Sequence, residues 1–309
     1  MSLEIIKGVK NFTGRDDPTV ATIGTFDGIH LGHQAILRSL VNSARELDAH
    51  ALAITFEPHP RVLVTPDSPP LLLTCLNEKI KLFEKHFDGS LLILEFNREL
   101  MNMSAEEFTH AFLVEKLNLS KLIVGYDHAF GHDRSGTIND LLDLSRKYSF
   151  ELEIVDPVIV NGRPISSTRI RKLLAERNLT QAVKFLGHSY PLSGKVIGGI
   201  GLGKKLGYPT ANIEYNPRKL LPADGVYSCS VELGGVKYDG MMFIGKNHFN
   251  PQAAKSVEIN IFDFDENIYG AEMFCYPEVY VRENRRYTNT GDLVEQIKLD
   301  KKKILMLKK

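Results

Sequence analysis

Little in this chain points to a polyanionic partner, a lipid bilayer or an oxidising compartment. Its 38 lysines and arginines balance 38 aspartates and glutamates, so the formal net charge is zero. No broad electrostatic footprint for nucleic acid or an anionic membrane is expected. Only three cysteines occur, Cys75, Cys229 and Cys275. They are far apart, no pair has metal-ligand spacing, and the odd number argues against a disulfide framework, so reduced structural thiols are expected. No apolar run approaches the length of a membrane span, and Met1-Ser-Leu-Glu-Ile-Ile-Lys7 has no apolar signal core. Internal repeats and low-complexity tracts are lacking too. These absences predict a cytoplasmic protein with small-molecule partners, without nucleic acid or membrane, as a monomer or weak homo-oligomer.

What is present is globular and large enough for two domains: 309 residues, of which 43% are apolar and 25% charged. Up to about residue 160, apolar strand-like runs alternate with amphipathic helical spacing. Thr19–Ile23, 51–56, 91–96, 121–125 and 151–155 read as strands. Helices are expected after residue 33, over 77–86, after the capping box Ser104/Glu107 and near 139–148. Apolar strands alternating with helices argue for a parallel sheet covered on both faces, with ligands at the carboxyl ends of the strands. A short helix should follow Ser166-Ser-Thr168, and another should end at Gly187. From about 190 the pattern changes to alternating segments and glycine- or asparagine-bearing turns, which predicts an antiparallel domain, a small barrel closed by a terminal helix. The domain boundary is placed at 186/187.

Two segments carry chemistry. In the first half, Gly24-Thr-Phe-Asp-Gly-Ile-His-Leu-Gly-His33 ends a strand and opens a helix. There the helix N-terminus favours a phosphate, and Gly24, Gly28 and Gly32 let the backbone approach it. His30 and His33 can donate hydrogen bonds to a phosphate whose charge grows during displacement. In the second half, Gly194, Gly198, Gly199, Gly201, Gly203 and Gly207 lead to Pro209-Thr-Ala-Asn212. This run is neither a P-loop nor a dinucleotide fingerprint. Thr210 and Asn212 supply hard oxygen atoms suited to Mg²⁺ bound to ATP.

The first segment resembles the adenylyltransferase module of the bifunctional riboflavin kinase/FAD synthetase family. Thr55-Phe-Glu-Pro-His-Pro60, Gly125-Tyr-Asp-His-Ala-Phe-Gly131 and Ile165-Ser-Ser-Thr-Arg-Ile-Arg171 are similar to three further elements of that module, with His128 where an aromatic is usual. Gly207-Tyr-Pro-Thr-Ala-Asn212, Gly225-Val-Tyr227 and Ser256-Val-Glu-Ile-Asn260 resemble the kinase module. The resemblance covers roughly residues 15–305. It implies a Rossmann-like nucleotidyltransferase domain over 1–186 and a β-barrel riboflavin kinase domain over 187–309. The kinase would phosphorylate riboflavin to FMN, and the other domain would adenylylate FMN to FAD, with ATP and Mg²⁺ for both steps.

For the adenylyltransferase the resemblance implies His30 and His33 as catalytic residues. Gly24, Phe26, Asp27, Gly32, Asp127, Ser166, Ser167, Thr168 and Arg169 or Arg171 would bind ATP. His59 has a structural role at least as readily as a catalytic one. For the kinase it implies Glu258 as general base and Thr210 and Asn212 as metal ligands. Gly198, Gly203, Lys204, Gly207, Tyr208, Pro209, Tyr227 and Asn247 would bind ATP or flavin. Two departures stand out: Asn247 is not followed by the usual Pro-Thr, and Asn260 stands where histidine is common. An adenylyltransferase with a weak or lost kinase, a regulatory flavin or nucleotide binder, and a nucleotidyltransferase for another phosphate acceptor are the alternatives.

Overall fold

The computed structural model describes residues 3–8, 11–12, 17–128, 136–199, 201–246 and 255–308. They form two compact units, Met1–Leu71 with Lys79–Ser167, and Leu72–Glu78 with Thr168–Lys309.

In chain order the first unit carries β1 (Glu4–Lys7), β2 (Thr19–Ile23), α1 (Leu31–Glu46), β3 (His50–Glu57), α2 (Arg61–Val64), most of α3 (Leu76–His86), β4 (Ser90–Glu95), α4 (Arg98–Asn102) and α5 (Ala105–Phe108). After a π-helical turn over Thr109–Val114 come β5 (Leu119–Gly125), α6 (Ile138–Tyr148), β6 (Glu151–Val155) and the ribbon β7 (Ile159–Val160) and β8 (Arg163–Pro164). Six strands pair in parallel in the order β1-β4-β3-β2-β5-β6. Every residue of β2 is buried, as expected for a central parallel strand covered on both faces. Ile23, Leu52, Ile54, Leu92 and Val124 join Phe108 and Phe112 in one core. The helices begin where the sequence offers caps: Ser104 with Glu107, and Thr137 with Asp140, both form capping boxes.

From β2 the chain winds outward through β3 to β4, then returns to place β5 on the other side of β2. This reversal makes the carboxyl ends of β2 and β5 the switch point where such sheets bind ligands. The two segments that follow these strands begin at Gly24 and Tyr126.

The second unit contains the rest of α7 (Ser167–Ala175), then α8 (Leu179–Leu186), β9 (Leu192–Ile197), α9 (Leu202–Lys205), β10 (Ala211–Tyr215), β11 (Gly225–Leu233), β12 (Val236–Gly245), β13 (Ser256–Ile261), β14 (Glu272–Arg282) and α10 (Thr290–Leu307). Its six strands close into an antiparallel barrel in the order β10-β13-β12-β11-β14-β9. Gly234 and Gly235, at φ +56° and +82°, make the two-residue turn between β11 and β12, a backbone only glycine adopts without strain. α10 buries Leu293 and Ile304, and its Asp300 receives two bonds from Arg282 Nε at 2.8 and 3.0 Å. Leu72–Glu78 joins this unit through a bridge between Leu72 and Lys219 and through Glu78. That carboxylate accepts from Lys219 Nζ (2.6 Å), Ser193 N–H (2.8 Å), Ser193 Oγ (3.0 Å) and Cys75 N–H (2.9 Å). Cys75, Cys229 and Cys275 are all buried and form no disulfide with one another.

Candidate active sites

The first site grows from the end of β2. Gly24 N–H makes the last rung to β3, donating to the Ile54 carbonyl at 3.0 Å. The Thr25 carbonyl turns down and accepts from Lys79 Nζ at 2.8 Å and from Thr55 Oγ1 at 3.3 Å. Phe26, Gly28 and Ile29 then take positive φ of +47°, +87° and +36°. For the two non-glycine residues this costs on the order of 1–3 kcal/mol each, and it persists only where surrounding contacts fix it. Phe26 and Ile29 are buried, and Phe26 packs edge-on against Phe83 at 5.4 Å.

The strained turn delivers His30 to the N-cap of α1. His30 Nδ1 accepts from His33 N–H at 3.4 Å, which leaves Nε2 as its protonated nitrogen. The two imidazoles stack at 3.7 Å with 15° between planes, and Phe26 meets His33 edge-on at 5.3 Å. A Cβ on Gly32 would lie 3.2 Å from the His30 ring, so glycine keeps the stack closed. Among the described residues, enclosed His33 Nδ1 has no hydrogen-bond partner, which favours the tautomer that carries its proton on Nε2. Burial first, then the electrostatic effect of neighbouring His30 and of the Lys79 ammonium, holds the His33 imidazole well below the usual histidine range. Two neutral N–H donors thus stand at a helix N-terminus, an arrangement that attracts phosphate.

At the neighbouring strand end, a Cβ on Gly125 would lie 3.2 Å from Ile36 of α1 and 3.5 Å from an Asp127 carboxylate oxygen. The structure therefore brings the start of α1 and exposed Asp127 to the same edge of the sheet. Asp27, expected to line the nucleotide, is buried; its carbonyl accepts from Ser167 Oγ at 2.9 Å. Ser166 is half-buried and Thr168 exposed. Thr168, Arg169 and Arg171 fall in the second unit, where the Arg169 guanidinium lies over the Phe185 ring at 4.7 Å. His59 Nδ1 accepts from Arg61 N–H at 3.2 Å, capping its own turn.

The second site lies on one edge of the barrel. Asn212 and Glu258 are register partners on β10 and β13, and Glu258 faces Phe243 on β12. Glu258 alternates with buried Val257 and Ile259, so its carboxylate points to the opposite face, beside Asn212. Ser256 Oγ donates to Glu258 at 3.0 Å. The glycine run folds into a tight turn that contains α9, a short helix the sequence pattern did not predict. Tyr208 N–H closes it on the Gly203 carbonyl at 2.8 Å. A Cβ on Gly203 would overlap the Tyr208 carbonyl and reach 3.2 Å from Thr210 Oγ1, while one on Gly199 would overlap the Asn212 amide. Gly198 and Gly207 are exposed, as is Lys204.

Asn260 was read only as a departure, yet its amide donates to the Pro209 carbonyl at 2.7 Å and so holds the turn that presents Thr210. Lys79 was likewise missed, since a lysine in an amphipathic helix carries no motif, and Thr55 was read only as part of the Thr55–Pro60 segment, without a role of its own. Tyr227 is fully buried, its hydroxyl donating to the Ala223 carbonyl and its ring against Tyr280. Asn247 lies outside the described residues.

The FAD synthetase family model matches residues 13–169 and the riboflavin kinase family model residues 186–307. Bifunctional riboflavin kinase/FMN adenylyltransferases from Buchnera aphidicola (subspecies Acyrthosiphon pisum) and Pseudomonas fluorescens are 35% and 33% identical, each comparison covering 96% of both chains. A solved structure described as a macrolide-efflux protein from Streptococcus pneumoniae is 32% identical and superposes with a TM-score of 0.84, covering 98% of each chain. Among the described residues, no helix here is long and apolar enough to cross a membrane.

Proposed function

The chain belongs to the bifunctional riboflavin kinase/FMN adenylyltransferase family, and on that premise we propose how its residues divide the two reactions. It makes FMN from riboflavin and FAD from FMN, with ATP as co-substrate. Residues 1–186 are assigned to adenylyl transfer and 187–309 to the kinase, in the cytoplasm. The observation that carries this reading is that the two constellations share no segment: residues 24–33 with 125–128 in the sheet, and 198–212 with 256–260 in the barrel.

In adenylyl transfer an oxygen of the FMN 5′-phosphate attacks the α-phosphorus of ATP and pyrophosphate leaves. The nucleophile is already ionised, so the protein's work is alignment and charge stabilisation. His30 and His33 donate through Nε2 to the ATP phosphates at the start of α1, with Gly24, Gly28 and Gly32 allowing close approach. Asp127, Ser166 and Ser167 complete the nucleotide contacts within the first unit.

In the kinase, Glu258 accepts the proton of the riboflavin 5′-hydroxyl as that oxygen attacks the γ-phosphorus, and Ser256 holds the carboxylate in place. Gly198, Gly203, Lys204, Gly207, Tyr208 and Pro209 cover the nucleotide; Tyr227 is assigned to packing. Thr210 and Asn212 fit Mg²⁺: both offer a hard side-chain oxygen, both are half-buried, and Gly199 leaves the Asn212 amide a bare backbone to lie on. Thr210 and Asn212 would hold such an ion together with the ATP phosphates, and it would supply positive charge against the charge that develops there.

The test is a chromatographic product assay of the full chain with ATP and Mg²⁺, given riboflavin or FMN, for wild type, His33→Ala and Glu258→Gln. Wild type should yield FMN and FAD from riboflavin. His33→Ala should stop at FMN. Glu258→Gln should make FAD only from supplied FMN. Loss of both products in either folded variant would sink the division of sites.

A further inference from the structure

We propose that Lys79 is a positioning residue for adenylyl transfer: its buried ammonium clamps the loop between β2 and α1 and supplies fixed positive charge beneath the two histidines. The proposal rests on the assignment of FMN adenylylation to the 24–33 loop.

Lys79 is 3% exposed. Its Nζ donates to the Thr25 carbonyl at 2.8 Å and lies 3.4 Å from Thr55 Oγ1, which donates to the same carbonyl. Thr25 is the last residue before the backbone enters the left-handed turn. Four residues along α3, on the same helical face, Phe83 packs against Phe26. α3 therefore grips two consecutive loop residues, one by a charge-assisted hydrogen bond and one by an aromatic edge. The grip passes directly to the site: Phe26 touches His33, and His33 stacks on His30.

Burying an ammonium is costly. Here the charge sits where a triphosphate would bring several negative charges to the start of α1. A fixed cation in a low-dielectric setting attracts them without contact or reorganisation. The titratable groups facing His33 are His30 from the cap of α1 and Lys79 from α3, and both oppose its protonation, which keeps the imidazole a neutral donor.

Two substitutions separate clamp from charge. Lys79→Met keeps the bulk of the stem and removes donor and charge. Lys79→Gln keeps a neutral donor on a stem one atom shorter. The full chain is assayed for FAD from FMN, for FMN from riboflavin in the same preparation, and for the pH profile of kcat/KM in FAD formation. In Lys79→Met, FAD formation should fall about a hundredfold while FMN formation stays within about twofold. Lys79→Gln should retain more rate than Lys79→Met. In both, the acid limb of the profile should move to higher pH, because His33 protonates more easily. An acid limb left at its wild-type position in both variants would overturn the proposal. So would parallel loss of FMN and FAD formation in both, which would make Lys79 a folding residue. A wild-type chain that makes no FAD from FMN would instead sink the underlying assignment.

Discussion

His33 links burial to pH at the scale of a single side chain. Its folded pKa lies well below the ordinary 6.5, through burial first and then the electrostatic effect of His30 and of Lys79. Above pH of about 6.5 the imidazole is neutral folded or unfolded and adds no pH dependence. As pH falls below that value the unfolded chain takes up the proton first, so stability drops until the folded pKa is passed. Urea unfolding followed by circular dichroism should show a smaller loss of midpoint between about pH 7.5 and 5.5 in His33→Gln than in wild type. Equal losses would mean that His33 titrates normally in the folded state. The pair His30/His33 was legible in the sequence because the motif states its own geometry: a strand, a glycine-rich turn, then imidazoles three apart at a helix start. Lys79 was not legible. Helical periodicity assigns it to a polar face, and only the folded sheet places a carbonyl above it.

Elements were legible in proportion to how strongly burial patterned them. β2 and β3 read as apolar runs because both their faces are covered, and α5 announced itself by the capping box Ser104/Glu107. β1 was missed because Glu4-Ile-Ile-Lys7 is a short edge strand without a buried residue. The helix α9 was missed because glycine obscures a helical pattern; its existence depends on the Gly203 turn rather than on propensity. That dependence can be tested with Gly203→Ala, whose Cβ would overlap the Tyr208 carbonyl. The turn must open, which displaces Thr210 and Tyr208. KM for ATP in FMN formation should rise about tenfold or more, while FAD formation from FMN is unchanged. An unaltered KM would show that the turn absorbs the methyl group and that its shape does not set nucleotide binding.

At the scale of the whole molecule, sequence order and compactness part company. A parallel α/β half followed by an antiparallel barrel was readable from the change in hydrophobic period near residue 190. The placement of Leu72–Glu78 in the second unit was not, because Glu78 reads as an ordinary first-turn carboxylate. In the fold it is fully buried against Lys219, whose ammonium also donates to the Leu73 carbonyl at 2.6 Å and faces the Tyr190 ring at 4.2 Å. A chain cut at 186/187 would keep Lys219 and lose its counter-charge. Removing one member of such a pair costs about 3–5 kcal/mol, whereas replacing both with neutral groups leaves no stranded charge. Glu78→Gln and Lys219→Met should each lower the temperature at which FMN formation is lost, and the double variant should recover much of that loss. If the two single effects simply add in the double variant, the pair is not coupled. Glu78 would then hold the second unit through Ser193 and Cys75 alone, and Lys219 through its carbonyl and ring contacts.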